Sequence, residues 1–419
     1  MSMTTRILLA LAVGAVIGLL LAFWDPAAAA RVADLVQPIG RLWLNALQMT
    51  VVPLVAALVV VGVNAASDAA SSGRTARQAM TVFMVLLVLS GAFAALASPA
   101  LLALIPRDAG LVDAFRAATA MPDPQLAVPA NFGEWIATVI PSNAIAAAAA
   151  SAMLPLVVFA LFFGFALTRL EAGRKARLLE FVQAIADVMI VIVRWVLWAA
   201  PLGVFALVLA VTARVGIGML AALGWYILLL CTLYIAVTLL LYLVAAFFAR
   251  EPVRRFAVAI LPAQAIAAST QSSLASLPAM IDSARTRLGY PLQVTSLVLP
   301  MAVSLFRITS PVQYLGVATF IAWMYGIELG PAQLAMAVGL AAVISLGSVG
   351  LPGQVSFMAT NMPVTQALGL PVEPLGILLA VDTIPDVFST VGNVTADLAA
   401  TGVVAQRTPP TSDPALETA

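Results

Sequence analysis

The chain has 419 residues, of which 63% are hydrophobic and only 9% charged, and its formal net charge is +1. A soluble domain carries about 25% charged residues, so an ordinary soluble globule is excluded, and near-neutrality gives no support for nucleic acid or another acidic polymer as partner. A single cysteine, Cys231, excludes an intrachain disulfide or thiolate metal cluster, and the lack of any histidine removes His-based triads, the usual zinc sites and imidazole proton relays.

In chain order, apolar runs at 7–23, 51–66, 79–105, 144–168, 181–213 and 217–249 reach lengths near the ~20 residues that span a bilayer. They predict an all-α polytopic membrane protein. The alternating strands of about ten residues that mark a transmembrane barrel are not visible. Arg6 precedes the first run and Ala27–Ala30 follow it, a signal-peptide-like arrangement. Signal h-regions run only ~7–15 residues, so a retained first helix is expected.

Basic residues cluster at Arg74 and Arg77, at Arg169, Arg174, Lys175 and Arg177, and at Arg250, Arg254 and Arg255. They alternate with weakly basic or mixed loops, such as 106–131 and the one holding Arg214. The positive-inside rule then places the N-terminus and these clusters in the cytoplasm, with six crossings before Arg250. Arg194 and Asp187, inside the fifth run, read as structural or interfacial.

The second half departs from simple crossings. The stretch after Arg255 is broken by Ser269-Thr270-Gln271-Ser272-Ser273 and ends at another basic pair, Arg285 and Arg287. Basic flanks on both sides predict a re-entrant helical hairpin with a polar tip. A second interrupted stretch, 331–368, is broken by Gly347-Ser348-Val349-Gly350-Leu351-Pro352-Gly353 and flanked by Glu328 and Glu373, which predicts a hairpin from the outside. Each hairpin precedes a long helix with a polar interruption, 291–326 and 371–405. Paired interrupted segments of opposite orientation form an inverted repeat, the best sequence pointer to a transporter site at the bilayer midplane. Residues 406–419, with Pro409, Pro410 and Pro414, read as a disordered cytoplasmic tail.

The last long segment carries Asp382, Asp386, Ser389, Thr390, Asn393 and Asp397 at steps of three and four, which places them on one helix face. Carboxylates within a membrane are costly unless that face lines a polar site. Asp386 could pair with a substrate ammonium, Asn393 could bond a carboxylate, and Asp397 could bind Na⁺ or carry a proton. Asp382 fits a structural cap best. Ser389 and Thr390 join the candidate substrate site. At the first tip, Ser272 and Ser273 could offer hydroxyls and backbone N–H groups at a helix start, or simply form a packed kink. At the second, Gly350, Pro352 and Gly353 could approach a ligand closely, with Ser345 and Ser348 joining Asn393 and Asp397 as candidate cation ligands. Arg307, deep within 291–326, needs a partner. It could bind substrate carboxylate with its planar fork or form a purely structural ion pair.

Several of these stretches together resemble the dicarboxylate/amino acid:cation symporters, the glutamate transporter family. Leu47–Val55 is similar to its second helix, Met153–Ala160 through Gly164 to its fourth, and Ala200–Ala206 to its fifth. Thr270–Ser273 with Leu277-Pro278 looks like the first tip, Gly347–Gly353 the second, and Asp382–Asp397 the last helix. The resemblance implies eight transmembrane helices plus two re-entrant hairpins, a homotrimer and an elevator mechanism in the inner (plasma) membrane. On that plan 1–66 holds scaffold helices 1 and 2 and 131–215 scaffold helices 4 and 5. Helix 3, at 74–105, and the whole of 216–405 form the mobile transport domain.

Two departures bear on function. Where the family has Asn-Met-Asp-Gly-Thr, this chain has Phe306-Arg307-Ile308-Thr309-Ser310. Hard cations want oxygen donors, so two of the family's sodium sites are expected to be damaged or absent, while Asn393 and Asp397 remain. Ser389 stands where the family places an Arg for acidic side chains, which argues against glutamate or aspartate as the preferred substrate unless Arg307 takes over that role. The expectation is a cation-coupled carrier of a small amino acid or organic acid, using Na⁺ or H⁺ with reduced or altered sodium coupling and no other cofactor. An uncoupled exchanger, an anion channel and a substrate sensor are the alternatives. Partners are the small-molecule substrate and membrane lipid. An intramembrane hydrolase with Ser272 or Ser273 as nucleophile is the weakest option without histidine, so no enzyme is expected.

Overall fold

The structure, a computed structural model, describes residues 3–71, 73–105, 112, 139–347 and 353–407. Among the described residues every regular element is helical. Helix α1 (Met3–Trp24) is followed at once by α2 (Pro26–Ser71), which starts cleanly. The Asp25 carboxylate accepts hydrogen bonds from the Ala27 and Ala28 N–H groups at 2.9 and 3.1 Å. Pro26 takes the first helical position, where no N–H is required. The Ala27–Ala30 stretch is therefore the first turn of α2. With 46 residues, α2 is about 70 Å long at ~1.5 Å per residue. The apolar run at 51–66 is only its central part; Asp34, Gln37 and Arg41 interrupt the hydropathy of the preceding turns without interrupting the helix.

Helix α3 spans Arg74–Leu102. The run at 144–168, expected as one crossing, is divided into α4 (Ala144–Ala149) and α5 (Met153–Leu167), with Ser151 left-handed at φ 52° between them. The run at 181–213, also read as continuous, is α6 (Ala172–Trp198) and α7 (Ala200–Val215). Pro201 lacks the N–H that would continue the helical ladder. The Val196 carbonyl, in the last turn of α6, accepts from the Ala199 N–H at 3.1 Å and from the Trp43 indole N–H of α2 at 3.0 Å. Gly203 lies under the same indole, where a Cβ would overlap the ring.

Helix α8 (Ile217–Phe248) leads into a helical hairpin, α9 (Val253–Thr270) and α10 (Ser273–Asp282), closed by a π-helical turn at Ser283–Arg287. The two interrupted helices are broken as the sequence predicts: α11 (Leu292–Leu305) from α12 (Thr309–Tyr325), and α15 (Glu373–Val381) from α16 (Thr383–Arg407). Between them α13 (Pro331–Gly347) and α14 (Gly353–Ala367) form the arms of the second interrupted segment. Seven helical stretches among the described residues are long and apolar enough to cross a membrane. The eighth expected crossing is the one cut at Ser151, which leaves the shorter α5.

Packing falls into two groups. Helix α1 lies along α7, and α2 packs on α5, α6 and α7; the buried Asn64 amide ties α2 to α5 by donating to the Gly164 carbonyl at 3.2 Å. In the other group α16 packs against α8, α9 and α11, and α12 against α3. The groups meet where α2 touches α3, α13 and α14, where α7 touches α8 and α15, and where α5 and α6 touch α14. Helix α16 carries the polar stripe and is mostly enclosed, with Ser389, Thr390, Asn393 and Asp397 buried within protein and Asp386 half-buried.

Candidate substrate and cation site

The break in α11–α12 creates the centre of the site. The Phe306 N–H ends α11 on the Ala302 carbonyl at 2.8 Å, and Phe306 itself is extended. Helix α12 restarts at Thr309, and its first N–H groups lack intrahelical partners. The Thr309 N–H donates instead to the Asn393 side-chain carbonyl of α16 at 3.1 Å. The Thr309 hydroxyl meets the same oxygen at 2.9 Å and the Ser389 hydroxyl at 2.8 Å. Gly392 permits this approach: a Cβ there would lie 2.8 Å from Thr309 Cγ2 and 2.9 Å from Thr238 Oγ1 of α8.

Charges gather around this joint. Arg307 is half-buried in the break, and its guanidinium is the positive charge felt by both Asp386 and Asp397. Among the described residues it makes no ion pair within 4 Å with either. Asp386 is half-buried. Asp397 is fully buried, and neither carboxylate oxygen has a hydrogen-bond partner among the described residues. The Asn393 amide N–H₂ is likewise buried without a partner there, because its oxygen alone is engaged by Thr309. Such groups are costly when left unmatched.

The positions where the resembled family uses Asn and Asp are filled by hydrocarbon. Phe306 is 1% exposed and stacks on Phe83 of α3, with ring centroids 4.6 Å apart. Ile308 is also buried, in the same apolar cluster.

Asp382 occupies the α15–α16 break. Its carboxylate accepts from the Tyr226 hydroxyl at 3.0 Å and from the Gln313 amide at 3.2 and 3.1 Å, so it ties α8 and α12 to the break. The hairpin tip reaches the same place. Gln271, left-handed at φ 51°, donates from Nε2 to the Thr383 carbonyl at 3.1 Å.

The structure thus brings Arg307, Asp386, Ser389, Asn393 and Asp397 together around Thr309. Thr390 is buried beside them, but its hydroxyl bonds the Asp386 carbonyl of its own helix at 2.9 Å. Ser272 caps α10, its hydroxyl accepting from the Ala275 N–H at 3.2 Å, and Ser273 is the half-buried first residue of that helix. Ser345 is buried on α13 and bonds the Ala341 carbonyl at 2.7 Å; that helix packs on α2, α3 and α12. Gly353 opens α14, and Ser348, Gly350 and Pro352 lie outside the described residues. Sequence reasoning missed Thr309 and Gln271 as organisers. Thr309 was signalled by its place just after the polar interruption. Tyr226 and Phe83, in uniformly apolar runs, gave no signal.

Broken helices and a helical hairpin converging on an enclosed polar stripe define a multi-pass membrane protein with its binding groups inside the helix bundle, the class of secondary transporters. The profile of the sodium:dicarboxylate symporter family matches residues 3–407. The chain therefore belongs to that family, whose members are secondary transporters and not enzymes. It is 28% identical to a proton/glutamate-aspartate symporter of Escherichia coli (strain K12), across 97% of this chain and 92% of that one. It is 30% identical to the neutral amino acid transporter B(0) of Bos taurus, across 87% of this chain and 72% of that one. Identity to a proton/sodium-glutamate symport protein of Bacillus caldotenax is 28%, across 87% and 86%.

Proposed function

We propose that the chain is an elevator-type secondary transporter of a small neutral amino acid in the inner (plasma) membrane, with sodium coupling reduced or altered. The observation that carries this reading is a half-buried cation and a half-buried carboxylate, Arg307 and Asp386, within electrostatic range of each other beside the Thr309–Ser389–Asn393 joint. A zwitterion presents an ammonium for Asp386 and a carboxylate for Arg307 and the unpartnered Asn393 amide. Ser389 leaves no second cation for an acidic side chain. Relatives named as neutral amino acid transporters and as acidic amino acid symporters bracket this choice.

The coupling part of the reading rests on Phe306 and Ile308, which put carbon where oxygen ligands are needed. Asn393 and Asp397 are left as the cation- or proton-binding pair. The two packing groups support the elevator part. In this reading α1, α2 and α4–α7 are the scaffold of a homotrimer, and α3, α8, both hairpins and the broken helices move with the substrate. Both termini lie in the cytoplasm.

Uptake of labelled L-serine and L-aspartate into proteoliposomes, with sodium and pH gradients imposed separately, tests the proposal. Serine uptake with weak or no sodium dependence is expected. Uptake that rises with the third power of sodium concentration would sink the coupling claim. Uncoupled exchange is a second reading favoured by Arg307, a fixed positive charge that needs no reloading. Counterflow separates either carrier from an anion channel or a sensor, which exchange no label.

A further inference from the structure

Arg307 serves two of the three carboxyl groups on the α16 stripe and not the third. Its charge acts on Asp386 and Asp397, whereas the neighbouring charge acting on Asp382 is that of Asp386. Asp382 is 8% exposed. Its three hydrogen bonds come from neutral donors, the Tyr226 hydroxyl and the Gln313 amide. Across from it on α8, Tyr234 is fully buried, its hydroxyl has no hydrogen-bond partner among the described residues, and it lies within electrostatic range of Asp382, Asp386 and Tyr314. The Tyr314 hydroxyl on α12 is buried and without a partner there as well. The titratable groups facing this compartment are thus Asp386 from α16, Tyr226, Cys231 and Tyr234 from α8, and Tyr314 from α12. None of them is a cation.

An ionised carboxylate enclosed with a second carboxylate four residues on, and with neutral donors only, is strongly disfavoured. It needs a positive charge. A metal ion fits poorly, because hydrogen-bond donors already point at both oxygens and would have to be displaced. A proton fits without rearrangement: protonated Asp382 accepts from Gln313 on one oxygen and donates from the other to Tyr226 Oη. We propose that Asp382 is a proton-binding site, separate from the Arg307 pocket, with the Tyr226 hydroxyl as the group that shares its proton. The proton comes from bulk water and returns to it, and no covalent bond to carbon changes. In a carrier, such a site couples transport to pH without using Asp397; that consequence alone rests on the transport function proposed above.

Infrared difference spectroscopy of the purified full chain, taken as a pH titration, tests the site without any substrate. The wild type is expected to show the C=O band of a protonated carboxyl that is lost in Asp382→Asn. Tyr226→Phe, which keeps the carboxyl and removes one hydrogen bond, is expected to shift that same band. It provides the answer if Asp382→Asn fails to fold. Bands unchanged in both variants, or accounted for wholly by Asp386→Asn and Asp397→Asn, overturn the proposal. Should the band behave as expected while wild-type proteoliposomes exchange neither serine nor aspartate, the proton site stands and the carrier function proposed above falls.

Discussion

Phe306 of the α11–α12 break lies flat on Phe83 of α3, with ring planes 6° from parallel. This contact joins two helices far apart in sequence at the point where the family's motif would present an amide. The ring fills space with carbon, and Ile308, two residues on, is buried in the same apolar cluster. The joint that survives beside them, Thr309 with Ser389 and Asn393, is hydrogen-bonded within the protein itself.

The first prediction concerns this stack. Phe306→Asn combined with Ile308→Asp restores oxygen donors but removes the ring from Phe83. Loss of a buried Phe costs about 3–5 kcal/mol, so the double variant is expected to melt well below the wild type in choline chloride. In sodium chloride it is expected to recover part of that loss, while the wild type responds little. Thermal unfolding in the two salts is the measurement. No sodium-specific recovery would mean that these side chains are not what closes the cation site.

Arg307 is the positive charge acting on two buried or half-buried carboxylates. Arg307→Met is therefore expected to abolish L-serine binding or to make it depend on added sodium or potassium. Calorimetric titration with and without each cation reads this. Unchanged affinity in both conditions would leave Arg307 a bystander.

Ser389 is 6% exposed and points its hydroxyl at Thr309. Ser389→Arg places a forked cation at the substrate joint. Preference is expected to move from serine toward aspartate by about tenfold or more, equivalent to ~1.4 kcal/mol. Competition of unlabelled aspartate against labelled serine uptake gives the ratio, and a preference that stays with serine refutes the assignment of this position to side-chain selection.

Gly392→Ala tests how tightly α16 must approach α12. The added methyl meets Thr309 Cγ2 and Thr238 Oγ1 below 3 Å. Overpacking of this kind costs about 1–3 kcal/mol. Thr309→Ser, which deletes Cγ2, is expected to recover part of the loss in the double variant, since neighbouring substitutions couple. A double-mutant cycle on thermal stability that shows simple additivity would contradict the contact.

Much of this molecule was legible along the chain. The tip at Ser269–Ser273, the interruption around Arg307 and the stripe from Asp382 to Asp397 announced themselves, because Pro, Gly, Ser and charged residues cannot sit in an uninterrupted apolar helix without consequence. Hydropathy failed where a helix is locally polar but supported by neighbours, as in the first turns of α2, and where an apolar run hides a break, as at Ser151 and Pro201.

Sequence by itself determined the membrane class, the two broken helices and which side chains share the face of α16, since those follow from local chemistry and helical periodicity. Only the tertiary structure decided the partners: Phe83 for Phe306, Trp43 for the Val196 carbonyl, Tyr226 and Gln313 for Asp382. The reason is physical. A helix that is apolar all round, such as α8 or α12, carries no periodic signal of which face turns inward. Its contacts are set by close packing between segments far apart in the chain.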